Sequence, residues 1–504
     1  FIWSGDTQTD RYYLKGDGVE SWHPIFTYQG FQYMEVTISE PEIELLEINA
    51  AVVHTDLPEK GYFRSSNAMF NQLQENMRWS FLGNYYGYPT DCPHREKMGW
   101  TGDALLVAEM GNYNFDMVPA YRKWLDDFVD EQQESGDLPG IIPTSGWGYN
   151  FNQGLDKERG YGPHWEGAFL EVAWQIYRFS GDSLLLTRYY PHMKKYVDYL
   201  EDHAEGYLLK FGIDDHKQLK NLTQGPFLST AFFHYFSNLL AKMAGVLGEV
   251  EDQEAYLKLS KNIAKAFNKT YFNPQTGQYD HGGQASQAVP LFTGLVPEEK
   301  EDLVLDELLK AIDTKEGHID AGVVGTKAII QVLMDYQQED VLFEMANKRT
   351  FPGWGYWVDE LHANTMFQNW DGSQSRNHIM FGTIGDYFYK GLGGIRAIDE
   401  SPGFKRFIIQ PSLVSEIEWV EAGHDSPYGV IKSHWRRTSG QVELSLTVPS
   451  NTVAELRLPA RSEIKPVVEQ GPSITFERVS DEKGGDWYMA DLSGGNYQIK
   501  HKEE

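Results

Sequence analysis

Residues 91–103 hold the densest group of chemically active side chains in the sequence. They include three carboxylates, an arginine and a tryptophan, namely Asp91, Glu96, Asp103, Arg95 and Trp100. One proline and two glycines interrupt any helix there, so most of the stretch is predicted to be a loop. Because loops on a rigid scaffold carry much of the chemistry of proteins, the stretch is predicted to form the floor of a pocket. The alternative is a solvated, salt-bridged turn before a helix that begins near Asp103.

Carboxylates grouped in this way suit the hydrolysis of glycosidic bonds. That reaction needs a carboxylic acid to protonate the leaving oxygen and a second group to activate water or attack the sugar. Glu96 is the candidate acid, and Asp91 and Asp103 are candidates to accept hydrogen bonds from sugar hydroxyls and to orient Arg95. Trp100 is a candidate stacking face for a sugar ring. The alternatives are that Arg95 only neutralises Asp91 and that Asp103 only caps its helix.

Two further stretches are rich in aromatic and polar side chains. In 351–382, three tryptophans and a histidine are predicted to line the pocket, namely Trp354, Trp357, Trp370 and His378. The alternative is an aromatic plug that closes the helical domain. In 146–166, Trp147 and Glu166 are candidate ligand contacts, but the helix dipole alone explains an acidic residue in a first turn. Asp214-Asp215-His216 is a weak metal-site candidate, because no partner spacing accompanies it.

Composition limits the classes of function. The chain has 504 residues, which predicts two or three domains, and a net charge of −29, which disfavours nucleic acid and anionic membranes as partners. Aromatic residues make up 14%, which favours sugar stacking but also fits aromatic-rich cores. Cys92 is the only cysteine, and no apolar run is long enough to span a membrane. The sequence opens in strand-like residues without a visible signal peptide, and we expect an N-terminal part to be missing.

Hydrophobic periodicity divides the chain into three parts. Residues 1–58 alternate loosely at period two, in the runs 28–38 and 42–53, and are predicted to be the end of an N-terminal β-sandwich. Residues 59–395 change to a helical period, with candidate helices in consecutive pairs joined by long loops. They predict a mainly α domain, an (α/α)6 barrel, with an open helical solenoid as the alternative. Residues 396–504 return to period two and are predicted to form a C-terminal antiparallel β-sandwich.

The stretch Asp91-Cys-Pro-His-Arg-Glu-Lys-Met-Gly-Trp-Thr-Gly-Asp-Ala104 closely resembles the signature of the bacterial α-L-rhamnosidases of glycoside hydrolase family 78. The resemblance continues in 26–36, 162–168, 351–356 and 377–395. It implies an (α/α)6 catalytic barrel flanked by β-sandwiches and inverting hydrolysis of terminal α-L-rhamnose from oligosaccharides, polysaccharides or glycosides. It also implies roles for single residues: the general acid is Glu96, the sugar-binding charged residues are Asp91, Arg95 and Asp103, the stacking tryptophan is Trp100 and the cleft histidine is His378.

One position departs from the family pattern. The family commonly carries a Trp-Glu pair whose glutamate is the general base, whereas this sequence has Phe367-Gln368 there. An amide cannot take a proton from water at neutral pH, so Gln368 is predicted to bind substrate only. If inversion is retained, another carboxylate must be the base, and the nearest are Asp359, Glu360 and Asp371. Glu360 is the predicted replacement, because a glutamate side chain reaches further than an aspartate.

The leading hypothesis is an α-L-rhamnosidase-like glycosidase whose partner is a rhamnose-containing carbohydrate. Two alternatives stay open: a non-hydrolytic sugar-binding relative, and a lyase-type enzyme that acts on a rhamnose-linked uronate at the same pocket. Neither a metal nor another cofactor is expected. The chain is expected to be a periplasmic or secreted monomer or homodimer, with no membrane insertion and the signal region outside this sequence.

Overall fold

The computed structural model describes residues 8–150, 160–220, 223–480 and 485–503. The α-helices are α1 (Ala68–Gly83), α2 (Thr101–Asn114), α3 (Val118–Glu131), α4 (Pro163–Glu166), α5 (Ala168–Ser180), α6 (Ser183–Asp202), α7 (Gly225–Leu247), α8 (Val250–Tyr271), α9 (Gln284–Thr293), α10 (Glu301–Asp313), α11 (Val323–Asp335), α12 (Glu339–Ala346) and α13 (Trp354–Asp359). A 3₁₀ helix at Met380–Ile384 and a π-helix at Tyr387–Leu392 follow. No helix among these residues is long and apolar enough to cross a membrane.

Local sequence signals account for several helix ends. Asp182 caps α6 by accepting a hydrogen bond from Leu184 N at 3.0 Å, and Asn67 caps α1 by accepting one from Met69 N at 3.0 Å. Gly181 ends α5 in the left-handed conformation, at a φ of 77°, which a residue without a Cβ adopts at little cost. The break between α5 and α6 is thereby short and well defined.

The helices form two concentric layers. The inner layer consists of α2, α5, α7, α9, α11 and the segment 380–392, and most of its side chains are buried. Each inner element contacts the next, and 380–384 contacts α2, so the ring is closed. The outer helices α1, α3, α6, α8, α10 and α12 each bury mainly one stripe, as expected for amphipathic helices. The predicted (α/α)6 barrel is confirmed, and the open solenoid is wrong.

Three features of the barrel depart from a plain set of paired α-helices. A hairpin of two short strands, Phe272–Asn273 (β2) and Gln278–Tyr279 (β3), follows α8, although no strand was expected inside the helical region. Helix α13 lies in the long stretch between α12 and the segment 380–392. That segment is itself divided between a 3₁₀ and a π-helix. None of these changes interrupts the closed ring.

The C-terminal sheet is built from β1 (Gly61–Ser65), β4 (Ile395–Ala397), β5 (Arg406–Ile409), β6 (Trp419–Ser426), β7 (Gly429–Thr438), β8 (Gln441–Pro459), β9 (Val467–Gln470), β10 (Glu477–Ser480) and β11 (Asp486–Lys502). The first half of β8 pairs with β7, and its second half pairs with β5. Inward residues of both halves are buried, which gives two layers around one core. The predicted sandwich is confirmed with two additions: the β5–β8 pair is parallel, and β1 joins the sheet from before the barrel.

The strands predicted at 28–38 and 42–53 are not formed. Residues 8–58 contain no strand, and most of their side chains are exposed. A strand is stable only where neighbouring strands take up its backbone hydrogen bonds and one of its faces is buried. The segment meets neither condition in this structure. An N-terminal sandwich that includes residues 1–58 therefore stays a prediction.

Candidate active site

Asp91 folds the loop before α2 back on itself. Its N–H donates to Met98 O at 3.0 Å, and its Oδ1 accepts from Met98 N at 2.9 Å. Helix α2 then begins at Thr101, so Asp103 lies in its first turn. Gly102 packs so closely on the Trp165 indole that a Cβ there would lie 2.3 Å from the ring. The loop is therefore held rigidly between Asp91 and the start of α2.

Glu96 lies at the edge of this loop, with its side chain 12% exposed. Its Oε1 is 2.8 Å from Arg95 Nη2, and its Oε2 accepts a hydrogen bond of 2.8 Å from Trp100 Nε1. The Trp100 ring meets Trp147 and Tyr161 edge to face, at centroid distances of 6.1 and 5.2 Å. Trp100, proposed as a stacking face, thus holds the carboxyl of Glu96. A carboxyl that is fixed and still reached by solvent can present its proton to a leaving oxygen.

A buried charged cluster forms the floor beside Glu96. His378 Nε2 is 3.0 Å from Asp103 Oδ1, and the two side chains are 3% and 4% exposed. Burial opposes a charge on His378, but the attraction of Asp103 and Asp91 outweighs it and raises the pKa of His378 to about 10. Burial also raises the pKa of Asp91 to about 7, although His378 opposes that shift. His378 is therefore protonated at neutral pH and acts as a hydrogen-bond donor.

Asp91, Cys92 and His378 place three potential ligand atoms within 4.8 Å of one another. Cys92 Sγ donates to Asp91 Oδ2 at 2.8 Å. With this hydrogen bond and the ion pair between His378 and Asp103, the side chains form a hydrogen-bonded cluster. The absence of a metal requirement stays a prediction.

Arg95 joins the two sides of the site. Its Nη2 contacts Gln368 Oε1 at 3.3 Å as well as Glu96 Oε1. Gln368 Oε1 also accepts from Ser375 N at 3.2 Å, and the residue is 5% exposed. The amide thus faces Glu96, where the resemblance implies a general base. The structure brings together seven of the predicted site residues, namely Asp91, Arg95, Glu96, Trp100, Asp103, Gln368 and His378.

The three tryptophans of the second stretch are core residues, so their prediction as pocket-lining residues is wrong. Trp354, Trp357 and Trp370 are at most 1% exposed. Trp357 and Trp370 stack at 4.7 Å between centroids, and Trp354 meets Trp370 edge to face at 5.1 Å. Their rings cover one another and Phe381. The rings therefore pack in the core, as the aromatic-plug alternative expected, because large rings close in sequence gain most by burying against each other.

Glu166 is also a core residue rather than a ligand contact. It is 0% exposed, and its carboxylate accepts hydrogen bonds from Tyr196 Oη at 3.0 Å and Gly162 N at 3.3 Å. Burial raises the pKa of Glu166 to about 8. Trp147 is half-buried beside Trp100, so it lies at the border of the site and its role as a substrate contact stays a prediction.

Glu360 is not brought to the site. It is exposed at the C-terminal end of α13, and its neighbour Asp359 pairs outward with Arg349 at 2.6 Å. Within the described residues, no hydrogen bond or ion pair joins Glu360 to Arg95 or Gln368. The longer side chain of a glutamate does not bring the carboxylate to the site, because Glu360 is exposed at the end of α13.

Lys217 is a site residue that the sequence reasoning missed. Its charge interacts with those of Arg95, Glu96, Asp103 and Asp371, so it lies at the same site. The only signal in the sequence was a basic residue in a long loop, directly after Asp214-Asp215-His216. That triplet is structural, because Asp215 caps α11 through Val324 N and its neighbours.

Comparison with known proteins identifies the family of the chain. Family models of bacterial α-L-rhamnosidases match the chain in three places: the concanavalin-like domain at residues 4–54, the six-hairpin glycosidase domain at 58–392 and the C-terminal domain at 394–472. An α-L-rhamnosidase of Streptomyces avermitilis is 32% identical over 465 residues, which is 90% of this chain and 44% of that protein. The chain spans about half the length of the curated relatives it matches.

Solved structures give the same result. The structure of α-L-rhamnosidase from Dictyoglumus thermophilum has a TM-score of 0.82 and 32% identity, and the match covers 90% of this chain and 51% of that one. The Streptomyces avermitilis α-L-rhamnosidase complexed with L-rhamnose has a TM-score of 0.81 and 30% identity, with coverage of 89% and 43%. The family model of the six-hairpin domain alone matches residues 58–392, and it contains the whole charged cluster around Glu96. The chain therefore belongs to the bacterial α-L-rhamnosidase family.

Proposed function

We propose that this chain hydrolyses terminal α-L-rhamnosidic bonds with inversion of configuration, with Glu96 as the general acid. The observation that carries the proposal is the carboxyl of Glu96, fixed by Arg95 and Trp100 at a solvent-reached edge of a buried charged cluster. Beside it, His378 can donate hydrogen bonds to the hydroxyls of one sugar, and Asp103 can accept them. Family membership supports oligosaccharides, polysaccharides or glycosides with terminal rhamnose as substrates.

The reaction uses Glu96 in its protonated form. Its proton passes to the glycosidic oxygen while the bond from that oxygen to the rhamnose carbon breaks, which leaves Glu96 as a carboxylate beside Arg95. A water adds to the rhamnose carbon from the opposite face and loses a proton to a base. The product is rhamnose of inverted configuration and a free hydroxyl on the leaving group.

We infer that Asp371, rather than Glu360, accepts the proton of that water. Asp371 is exposed in the loop after Gln368, and its charge acts on Lys217 together with that of Glu96. Ser373 holds Asp371 Oδ1 through two hydrogen bonds, of 3.0 Å from N and 2.6 Å from Oγ. Its Oδ2 receives no side-chain hydrogen bond from a described residue, and because Asp371 is exposed this oxygen is reached by water. The turn that Ser373 closes on Asp371 is compatible with this role, because it occupies only one oxygen.

Kinetics on an aryl α-L-rhamnoside and on rhamnose-capped oligosaccharides test the proposal. Glu96→Gln should lose 10²–10⁴-fold in kcat, the usual contribution of a positioned general acid. Asp371→Asn should lose a similar factor and recover with azide, which can attack the rhamnose carbon without a base. The control variant Glu360→Gln should retain wild-type activity. The configuration of the first product, followed by NMR, should be inverted.

Other outcomes point to other functions. A wild-type protein that binds rhamnosides but is inert on all of them would be a sugar-binding relative, and gain of hydrolysis in Gln368→Glu would establish that the base had been lost. An unsaturated uronate formed together with free rhamnose of retained configuration would indicate elimination, because the bond from the uronate carbon to the glycosidic oxygen then breaks. Full activity in Asp371→Asn contradicts the assignment of the base.

We further infer a periplasmic or secreted protein that acts as a monomer or homodimer and does not bind nucleic acid. The net charge of −29 supports the last point, since it repels a polyanion. Light scattering on the purified chain and fractionation of the source cells test the first two.

A further inference from the structure

The loop before Lys217 is held in place at three consecutive residues. Asp214 Oδ1 accepts from Gly225 N at 2.8 Å. The carboxylate of Asp215 accepts from three backbone N–H groups at the start of α11, at 2.8 to 3.2 Å. His216 O accepts from Val323 N at 2.8 Å, and the His216 ring lies edge to face with Trp165 at 5.9 Å. Lys217 therefore projects from a rigid support rather than from a loose loop.

Lys217 itself adopts an uncommon conformation and has an incomplete set of partners. Its φ is 65°, in the left-handed region, which a lysine enters at some cost in energy. Its Nζ donates to Gln374 Oε1, a neutral acceptor, at 2.9 Å, and it forms no ion pair with a carboxylate of the described residues. Burial and the nearby Arg95 lower the pKa of Lys217, so the site disfavours its charge in the absence of an added anion.

Two of the neighbouring carboxylates are already paired, and Asp371, the third, forms no ion pair with Lys217 within the described residues. Glu96 contacts Arg95 at 2.8 Å, and Asp103 contacts the protonated His378 at 3.0 Å. Lys217 is thus a half-buried cation without a counter-charge in contact, an arrangement that is costly unless a ligand supplies the anion. Its partner Gln374 is exposed, and so is Asp371, whereas Asp103 and His378 are buried at the floor. Lys217 therefore lies toward the mouth of the site, where the sugar next to the rhamnose would lie.

We propose that Lys217 and Gln374 form a subsite for an anionic group on the sugar next to the rhamnose, so that the preferred substrate is a rhamnoside of an acidic sugar. The anion is a uronate carboxylate or a sulfate ester, which share the chemistry that an ammonium group recognises. This proposal rests on the proposed function, because it places the leaving group relative to Glu96. The net charge of −29 does not oppose it, since charges beyond about 8 Å are largely screened at physiological ionic strength.

The test compares three disaccharides that differ only in the second sugar: rhamnosyl-glucuronate, rhamnosyl-glucose 6-sulfate and rhamnosyl-glucose. Each is measured by kinetics and by titration calorimetry with wild type, Lys217→Gln, Lys217→Arg and Lys220→Gln. Lys220 is an exposed lysine of the same loop and serves as the matched control. The wild type should prefer one or both acidic disaccharides, and which one it prefers identifies the anion. Lys217→Gln should lower kcat/KM on the preferred disaccharide at least fivefold more than on rhamnosyl-glucose, and Lys217→Arg should retain most of the preference.

Three outcomes would overturn the subsite. They are equal losses on acidic and neutral disaccharides in Lys217→Gln, no preference for an acidic disaccharide in the wild type, and the same loss in Lys220→Gln. If the wild type hydrolyses none of the disaccharides, the proposed function fails, but calorimetry still decides the subsite. Tighter binding of an acidic disaccharide by the wild type than by Lys217→Gln supports it, and equal affinities refute it.

Discussion

Asp103→Asn tests the buried ion pair on which the floor of the site depends. Asp103 and His378 are in contact at 3.0 Å and almost fully buried, so the variant leaves an imidazolium without its main partner. Removing one member of a buried pair costs about 3–5 kcal/mol. An unfolding entropy of about 2.1 cal/mol/K per residue gives about 0.7 kcal/mol/K for a barrel of roughly 330 residues. The Tm measured by calorimetry should therefore fall by about 4–7 °C at pH 6.

The pH dependence of this effect follows from His378. Its pKa is raised from 6.5 to about 10 in the folded chain, so the stabilisation by the pair is complete below about pH 6.5. The stabilisation is lost as the pH rises through 10. The difference in Tm between wild type and Asp103→Asn should shrink over that range.

The matched control is Asp130→Asn, which changes an exposed carboxylate on the outer helix α3. It should shift the Tm by less than 1 °C, because surface substitutions usually change the free energy of unfolding by no more than about 0.5 kcal/mol. A decrease of less than 1 °C in Asp103→Asn, or a difference that stays constant up to pH 10, would refute the reasoning about a charged His378.

Three other predictions concern single side chains. Trp100→Phe removes the hydrogen bond to Glu96, worth about 1.5–3 kcal/mol for a charged acceptor, and should lower kcat/KM by about 10–150-fold and the Tm by no more than about 2–4 °C. Trp357→Ala should cost about 3–5 kcal/mol of stability, measured by chemical denaturation, because the ring is part of the core. Glu166→Gln should gain Tm relative to wild type as the pH rises from 4.5 through 8: the raised pKa of Glu166 makes ionisation costly to the fold, and that cost is absent below about pH 4.5.

Local signals in the sequence were sufficient for most of the fold. The helical period, the caps at Asn67 and Asp182 and the glycine at 181 depend on residues a few positions apart, so a single stretch contains the information. The same holds for the alternating strands of the C-terminal sandwich. The prediction of strands at 28–38 and 42–53 was wrong. Their alternating pattern is typical of strands, but a strand also needs a neighbouring strand, which no local pattern supplies.

The sequence by itself determined which side chains were available near the site, since Asp91, Arg95, Glu96, Trp100 and Asp103 lie in one short stretch. The tertiary structure decided what each of them contacts. Arg95 contacts Gln368, which lies 273 residues further along the chain, and no local sequence pattern predicts a contact between such distant residues.

The tertiary structure also decided which side chains are buried. The rings of Trp354, Trp357 and Trp370 cover each other in the core, whereas Lys217 is brought to the site because the start of α11 holds its loop. Whether a side chain faces a ligand or the core depends on the segments packed against it, and these come from distant parts of the chain. Packing between such segments, rather than the local conformational preference of the sequence, therefore decides which side chains lie at this site.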